Sequence, residues 1–386
     1  MLLYNFFIAY CLLTAIAYMA MMIYYVNGNR KCTIPELMSD TMKNELDIDI
    51  VVCFRNEENN LPALLESIAE LNYSSNNFRV ILYNDSSDDN SLRLIDKFIQ
   101  QYPDIRIICN ELDVEKHQSP KKHAIIDAAT KSTAKLIAVT DADCILPTDW
   151  LTNIAISYQK TNARLICGPI LVKHEGSAIT KIQEIENSVL MTVTGGAIGH
   201  KKAILCNGAN MAFERTTFLE LLPYKANINI RSGDDIFLLM AVQKYHHESI
   251  VFINHRGSIV STSPKKSLTQ YINQRLRWVS KSKHYPVSTT TLVGALVLNT
   301  NIMLIASVVF LANKFHFSIL FCALSVLLIK SIADYMSVVT FSRISKRSVN
   351  FSRLLLFEYL EALLTIIIAV KSIKGSYEWK GRMVKA

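Results

Sequence analysis

The chain has no short-spaced cysteine pair, no glycine-rich phosphate loop and, over one long opening stretch, no charge at all. Its eight cysteines, Cys11, Cys32, Cys53, Cys109, Cys144, Cys167, Cys206 and Cys322, are scattered. None forms the close pair that a zinc site needs, so they read as reduced, mostly buried thiols of a cytosolic compartment. Neither G-x-G-x-x-G nor G-x-x-x-x-G-K occurs. Phosphate charge would therefore have to be met by metal and by Lys or Arg, not by a cradle of backbone N–H groups. The 386 residues contain no internal repeat and no low-complexity tract.

Leu2 to Val26 carries no Asp, Glu, Lys or Arg. It is long enough to cross the roughly 30 Å of bilayer hydrocarbon and lacks a small-residue cleavage site before Arg30 and Lys31, so it reads as a retained anchor. Thr291 to Ala312 and Phe315 to Phe341 are similar. The second contains Lys330 and Asp334, four apart on one helical face, where they can pair inside a bundle. Arg353 to Val370 is a weaker span because Glu358 and Glu361 interrupt it. With 50% hydrophobic residues the composition is too apolar for an ordinary soluble enzyme, and a polar block separates the apolar regions.

The net charge of +8 does not signal nucleic acid. Much of the basic excess flanks apolar segments, at Arg343, Lys346, Arg347 and Arg353 and again at Lys371, Lys374, Lys380, Arg382 and Lys385, which marks a cytoplasmic membrane face. Three regions are expected: an anchor over 1–27, a cytosolic catalytic domain over 28–285, and a membrane region with a short tail over 286–386.

Within the polar block, short β-rich runs alternate with helical stretches. Asp47 to Phe54 reads as a buried strand and Glu57 to Leu71 as a helix with apolar residues at 61, 64, 65 and 68. Then follow strand Phe78 to Tyr83, helix Asp88 to Gln101, strand Ile105 to Cys109, helix Pro120 to Lys131 and strand Leu136 to Thr140. Such alternation predicts an α/β fold with a doubly wound, mostly parallel sheet, with one N-terminal and two to three C-terminal transmembrane helices. Ligands of these sheets bind beyond the carboxyl ends of the strands. Three polar clusters fall there: Arg55-Asn56-Glu57, Asn84 to Asp89, and Asp141-Ala142-Asp143.

In an extended segment Asp141 and Asp143 would point the same way, toward one Mg2+ or Mn2+ ion shared with substrate phosphate. The plainer alternative makes them, and Ser87 or Asp88, helix caps. Asp85, first past its strand, can reach a base or ribose. Gly233-Asp234-Asp235 opens an apolar helical run, and here too a helix N-cap is the plainer reading. Gln274, Arg277 and Trp278 share one face of a probable helix, suited to a pyrophosphate and a stacked acceptor ring, or to lying on lipid.

Taken in order, Arg55-Asn56-Glu57, Asp85, Asp141-Ala142-Asp143, Gly208 to Phe213, Gly233-Asp234-Asp235 and Gln274-Arg275-Leu276-Arg277-Trp278 resemble the membrane-bound branch of glycosyltransferase family 2. That branch contains the cellulose, chitin and hyaluronan synthases and ceramide glucosyltransferase. The resemblance covers about residues 47 to 285, and its Q-x-x-R-W motif is specific. The Tyr377 to Arg382 tail looks like the closing segment of some lipid-directed members. The resemblance implies a GT-A fold and an inverting transfer from a nucleotide-diphosphate sugar, expected to be a UDP-sugar. By the same resemblance Asn56, Glu57 and Asp85 lie at the nucleoside, Lys121 or Lys122 near the donor, and Asp141 and Asp143 at metal and diphosphate, with Asp143 the direct ligand. Asp235, beside Asp234, is the general base, and Gln274, Arg277 and Trp278 hold diphosphate and acceptor. The chain departs from the family in having Gly-Asp-Asp where many relatives have Thr-Glu-Asp, which keeps the second Asp.

Three membrane segments after the catalytic block are few for a polymer-conducting pore. Transfer of one sugar to a lipid or lipid-linked acceptor is therefore favoured over a processive polysaccharide synthase. A catalytically inactive nucleotide-sugar-binding protein would be expected to have lost a carboxylate or the Q-x-x-R-W set, and a nucleotidyltransferase gives no reason for the Trp-bearing helix. The expected setting is a bacterial inner membrane with the catalytic domain in the cytoplasm. Nothing in the sequence speaks to oligomeric state.

Overall fold

The structure, a computed structural model, describes residues 2–32, 46–112, 119–230, 232–281, 289–313, 315–373, 376–379 and 382–385. The chain groups into two units, one of residues 28–173 and 197–263, the other of residues 1–27, 174–196 and 264–386.

The chain opens with helix α1 (Leu2–Asn29). The first unit then begins with β1 (Ile48–Phe54), α2 (Leu61–Ala69), β2 (Phe78–Asn84), α3 (Ser91–Gln101), β3 (Ile107–Glu111), α4 (Pro120–Lys131) and β4 (Leu136–Asp141). Leu61, Leu64, Leu65 and Ile68 form the buried stripe of α2, the face expected from their spacing, and a proline sits in its first turn, as in α4. Next come β5 (Cys144–Ile145), α5 (Trp150–Thr161), β6 (Leu165–Cys167) and β7 (Ile170–Val172). A long helix α6 (Ala178–Gly199), whose residues up to 196 belong to the other unit, follows in the chain; the first unit resumes with β8 (Met211–Glu214), α7 (Arg215–Leu221), α8 (Asp234–His246), β9 (Ile250–Phe252) and β10 (Val260–Thr262).

Seven strands make one sheet in the order β3-β2-β1-β4-β8-β6-β9. β1 pairs in parallel with β2 and β4, β2 with β3, and β6 with β9, whereas β8 runs antiparallel to both β4 and β6. The sheet is thus mostly parallel, and β1, β2 and β4 are almost wholly buried, as expected for strands covered on both faces. A small sheet, β5-β10-β7, stands apart. The register sets Phe54 beside Asn84 and Cys53 beside Asp141. The polar clusters after β1, β2 and β4 therefore emerge side by side at one edge.

In the other unit, α9 (Leu268–Val279) precedes α10 (Thr289–Asn313), α11 (Phe317–Ser345) and α12 (Phe351–Ile373). The chain ends in a hairpin, β11 (Ser376–Trp379) with β12 (Arg382–Lys385), whose β11 lies against α9. Among the described residues, three helices are long and apolar enough to cross a membrane: α1 over Tyr4–Asn29, α10 and α11. Cys11 and Ala15 of α1 pack with Leu304, Cys322, Val326 and Ala362 of α10, α11 and α12. The small residues let the helices approach closely.

Lys330 ties this bundle together. Its Nζ contacts Asp334 at 2.7 Å within α11, and Glu358 and Glu361 of α12, the latter at 2.8 Å. The Tyr18 hydroxyl of α1 donates to Asp334 at 2.5 Å. The two glutamates that interrupt the hydropathy of α12 are thus turned onto a buried cation, the arrangement in which charge is tolerated in an apolar bundle.

Several local expectations need correction. Residues 142 and 143 form a turn between β4 and β5, not an extension of β4, because the chain leaves one sheet there for the other. The i, i+2 argument for a common direction of Asp141 and Asp143 therefore lapses. Neither Ser87 nor Asp88 caps α3: Asn90 occupies the cap position, and Asp89 accepts the Ser91 N–H at 3.0 Å. The cap position of α5 is Asp149, so neither Asp141 nor Asp143 caps that helix. Cys109 is exposed, since it lies on β3 at the edge of the sheet. Of the tail, Lys380 and Gly381 lie outside the described residues.

Candidate active site

The loops after β1 and β2 hold each other. Asn56 adopts a left-handed conformation (φ 52°), its N–H donates to Ser87 Oγ at 3.0 Å, and its side-chain oxygen accepts the Asp88 N–H at 3.0 Å. Asn and Asp tolerate that backbone region better than most residues. The Glu57 N–H donates to Ser91 Oγ, and its carboxylate accepts from Asn60 at 2.7 Å. Asp85 is buried, and the Arg55 guanidinium donates to its carbonyl at 2.9 Å while standing 3.9 Å from its carboxylate. A rigid edge results, built from the first two polar clusters.

The third cluster meets the Gly233-Asp234-Asp235 segment through one lysine. Lys121, in the first turn of α4, extends its Nζ to 2.6 Å from Asp141 Oδ1, 3.2 Å from Asp234 Oδ2 and 3.1 Å from the Gly208 carbonyl. Burial opposes its positive charge, but Asp141 and Asp234 outweigh it and hold the ammonium well above the ordinary lysine range. Lys121 therefore stays charged wherever an enzyme would work. Lys122 is different: fully buried, it donates to the carbonyls of Asn227 at 2.6 Å and Ile230 at 2.8 Å and lies over the Phe237 ring. Of the two lysines offered by the sequence, geometry brings Lys121 to the carboxylates and gives Lys122 to the loop before α8.

Gly233 caps α8 in a left-handed conformation (φ 86°), which a residue without Cβ adopts at little cost. Asp234 and Asp235 then occupy the first turn, where the helix dipole favours negative charge. Asp235 Oδ2 accepts the Gly208 N–H at 3.2 Å and its Oδ1 the Ile236 N–H at 2.8 Å, so both oxygens are oriented. A Cβ on Gly208 would stand 2.8 Å from Asp234 Oδ2 and 3.0 Å from Lys121 Nζ. Only glycine leaves room for this approach. The Gly208 segment is itself anchored: Thr140 donates to the Ala209 carbonyl at 2.9 Å, and Asn210 takes the Trp150 indole N–H at 2.9 Å while donating to Pro169 and Ser258 carbonyls. Gly208 as a backbone donor to Asp235 was not foreseen from sequence, where it marked only the start of a motif.

Among the described residues, the carboxylates of Asp141, Asp143, Asp234 and Asp235 thus accompany the Lys121 ammonium at this edge. A negatively charged phosphate ligand would be repelled unless a divalent cation joined it. Asp141 and Asp143 are partly exposed hard-oxygen donors at the end of β4, and Asp143 lies 3.9 Å from the Cys144 thiol. That donor set fits Mg2+ or Mn2+ completed by ligand oxygens. A second group of carboxylates, Asp334, Glu358 and Glu361, has metal-binding proximity among the described residues, but Lys330 Nζ already sits against all three.

Gln274, Arg277 and Trp278 lie on α9, as expected, in the other unit. Its N-cap Ser267 accepts the Gln270 N–H at 3.2 Å.

Residues 49–222 match the sequence family Glycosyl transferase family 2. An N-acetylglucosaminyltransferase of Azorhizobium caulinodans is 23% identical over 265 residues, and one of Bradyrhizobium diazoefficiens is 22% identical over 241 residues. These matches cover 66% and 60% of this chain, and 64% and 48% of the relatives' own lengths. Among solved structures, the mannosyltransferase PcManGT from Pyrobaculum calidifontis, in complex with GDP-Man and Mn2+, superposes with a TM-score of 0.55 at 16% identity. That likeness covers 94% of this chain and 99% of the mannosyltransferase, and it establishes a common fold.

Proposed function

We propose that this chain, a family 2 glycosyltransferase by residues 49–222, moves one sugar with inversion from a nucleotide-diphosphate sugar to a lipid or lipid-linked acceptor at the cytosolic membrane face. The observation that carries the reading is Lys121 bridging Asp141 and Asp234, with Asp235 oriented beside them by the Gly208 N–H. Inversion needs a single displacement: the acceptor oxygen bonds to the anomeric carbon as the diphosphate leaves the opposite face. One base suffices for such a step. Asp235 takes the acceptor proton, and its two backbone donors keep the carboxylate aimed. Asp85, Glu57 and Asn56 take the nucleoside, and Lys121 offers fixed positive charge toward the diphosphate. A divalent ion held by Asp143 and Asp141 supplies electrophilic stabilisation of the leaving diphosphate when bound. Gln274, Arg277 and Trp278 contribute the diphosphate and acceptor contacts assigned to them by the family resemblance.

The names of the two relatives make N-acetylglucosamine the first sugar to offer, as its UDP derivative. Incubating the solubilised full chain with a panel of nucleotide sugars and acceptors, and following nucleoside diphosphate release, tests the reading directly. Asp143→Ala is expected to lower transfer by about 10^3-fold, a typical loss when charge stabilisation at a developing anion is removed. The melting temperature should be near wild type, since a rim carboxylate contributes little to the core. Full turnover in excess EDTA would remove the metal from the proposal.

The membrane path belongs to the same proposal. With Arg30 and Lys31 inside, the amino terminus lies outside, and α10 and α11 cross and return. A full crossing by α12 would then leave the basic tail outside, against the charge rule. Leu364 and Ile368 of α12 pack with Tyr271 and Leu276 of α9, and β11 lies against α9. Both contacts support an α12 that is re-entrant or interfacial, or that packs its glutamates into the bundle, and that returns the tail to the side on which α9 lies. A cysteine at position 384, after replacement of the eight native cysteines, should resist a membrane-impermeant thiol reagent in intact cells and react after lysis. Labelling before lysis would refute the re-entrant path.

A further inference from the structure

The Q-x-x-R-W motif leaves its two x positions open, and one of them, Arg275, is buried on α9 among several polar and aromatic partners. Its guanidinium is buried and grips both carboxylate oxygens of Glu186 of α6 side-on, along one edge: Nε donates to Oε1 at 2.7 Å and Nη2 to Oε2. Its Nη1 donates to Gln274 Oε1 at 2.6 Å. The planar group lies 4.1 Å from the centre of the Trp278 ring and 4.5 Å from that of Tyr271. The Tyr271 hydroxyl donates to the same Glu186 carboxylate at 3.1 Å. All of these residues belong to one unit of the structure.

The spacing explains the arrangement. Tyr271, Arg275 and Trp278 follow one another at i, i+4 and i+7, so they form a single column on α9, with the cation between two rings. A guanidinium can make this bridge because it is planar, always charged and presents donors in a fixed fork; an ammonium has no flat face to stack and no fork to match a carboxylate. Glu186 supplies the counter-charge from a different helix, and so ties the orientation of the column to α6.

We infer that Glu186 and Arg275 are positioning residues: together they fix the indole of Trp278 and the amide of Gln274 in the orientation needed to receive the acceptor. The inference rests on the proposed acceptor role of Trp278. Arg275 acts through its neighbours and touches no reacting atom. The consequence is specific to acceptor handling. With the clamp loosened, the indole swings and the acceptor is held poorly, whereas the carboxylate edge around Lys121 is untouched.

Two measurements on the full chain separate the possibilities. Acrylamide quenching of tryptophan fluorescence reads the clamp without any reaction. Glu186→Gln and Arg275→Lys, made separately, should each raise quenching, and the rise should vanish when Trp278→Phe is added. Transfer kinetics read its purpose: both variants should raise the acceptor KM by about tenfold, the size of one lost oriented contact, with donor KM and donor hydrolysis close to wild type. The same shift from substitutions on two different helices, with donor hydrolysis retained, is not what a general loss of folding gives. Unchanged quenching in both variants overturns the clamp whatever the kinetics. If Trp278→Ala itself leaves acceptor KM unaltered, the acceptor role fails and the purpose fails with it, while a quenching change would still report the clamp. If Trp278→Ala raises acceptor KM and the two clamp variants do not, the acceptor role stands and the positioning inference falls.

Discussion

Asp235→Asn is expected to bind nucleotide sugar with wild-type affinity and to transfer it at least 10^2-fold, and up to about 10^4-fold, more slowly, the range lost when a positioned base is removed. An amide is close to isosteric with the carboxylate, and its oxygen can still accept the Gly208 N–H that Asp235 Oδ2 accepts at 3.2 Å. The Gly208 segment between α6 and β8 should therefore keep its place. What is lost is the capacity to take a proton from the acceptor hydroxyl. Asp234→Asn should behave differently, because Asp234 faces Lys121 at 3.2 Å. Its loss removes part of the charge that holds the lysine, so donor affinity should change as well as rate. Titration calorimetry with donor, beside a transfer assay, separates the two variants. Wild-type turnover by Asp235→Asn would take the base role away from this residue.

Lys330→Met should have the largest effect on stability. The substitution removes the only lysine or arginine side chain recorded in contact with Asp334, Glu358 and Glu361 among the described residues, and Lys330, Asp334 and Glu358 are themselves buried. Breaking a buried ion pair from one side costs about 3–5 kcal/mol, because the remaining charge has neither water nor partner. Here three acids lose one shared cation. The variant should accumulate poorly and melt well below wild type, as followed by size-exclusion profiles of heated membrane extracts. Adding Asp334→Asn, Glu358→Gln and Glu361→Gln to Lys330→Met should recover much of the loss, since neutral amides need no counter-ion. Wild-type melting of Lys330→Met alone would mean that this network does not hold the helices together.

The readable parts of this molecule were those governed by local periodicity. Leu61, Leu64, Leu65 and Ile68 announce the buried face of α2 by their spacing alone. The uncharged run of α1 announces a helix long enough for a membrane in the same way. The side-by-side emergence of the clusters after β1, β2 and β4 was also legible, because parallel strands joined by helices must turn the same ends toward one edge. Lys330 and Asp334 could be paired from sequence because one helical turn separates them.

Contacts between residues far apart in the chain were not legible. Nothing local distinguishes Lys121 from Lys122; one meets Asp141 and Asp234 and the other the carbonyls of Asn227 and Ile230 because successive residues of a helix point about 100° apart. Asp141-Ala142-Asp143 looked like extended chain, and only the departure of β5 into a second sheet turns it. Glu186 lay unmarked in α6, 89 residues from Arg275. The sequence by itself determined many of the element types, the helices long and apolar enough for a membrane, and the ordered motifs, since these depend on side chains a few residues apart. Which carboxylate met which cation, and which arginine of the Q-x-x-R-W helix became its clamp, was decided by tertiary packing, which selects partners by distance in space and by the need of each buried charge for a counter-charge.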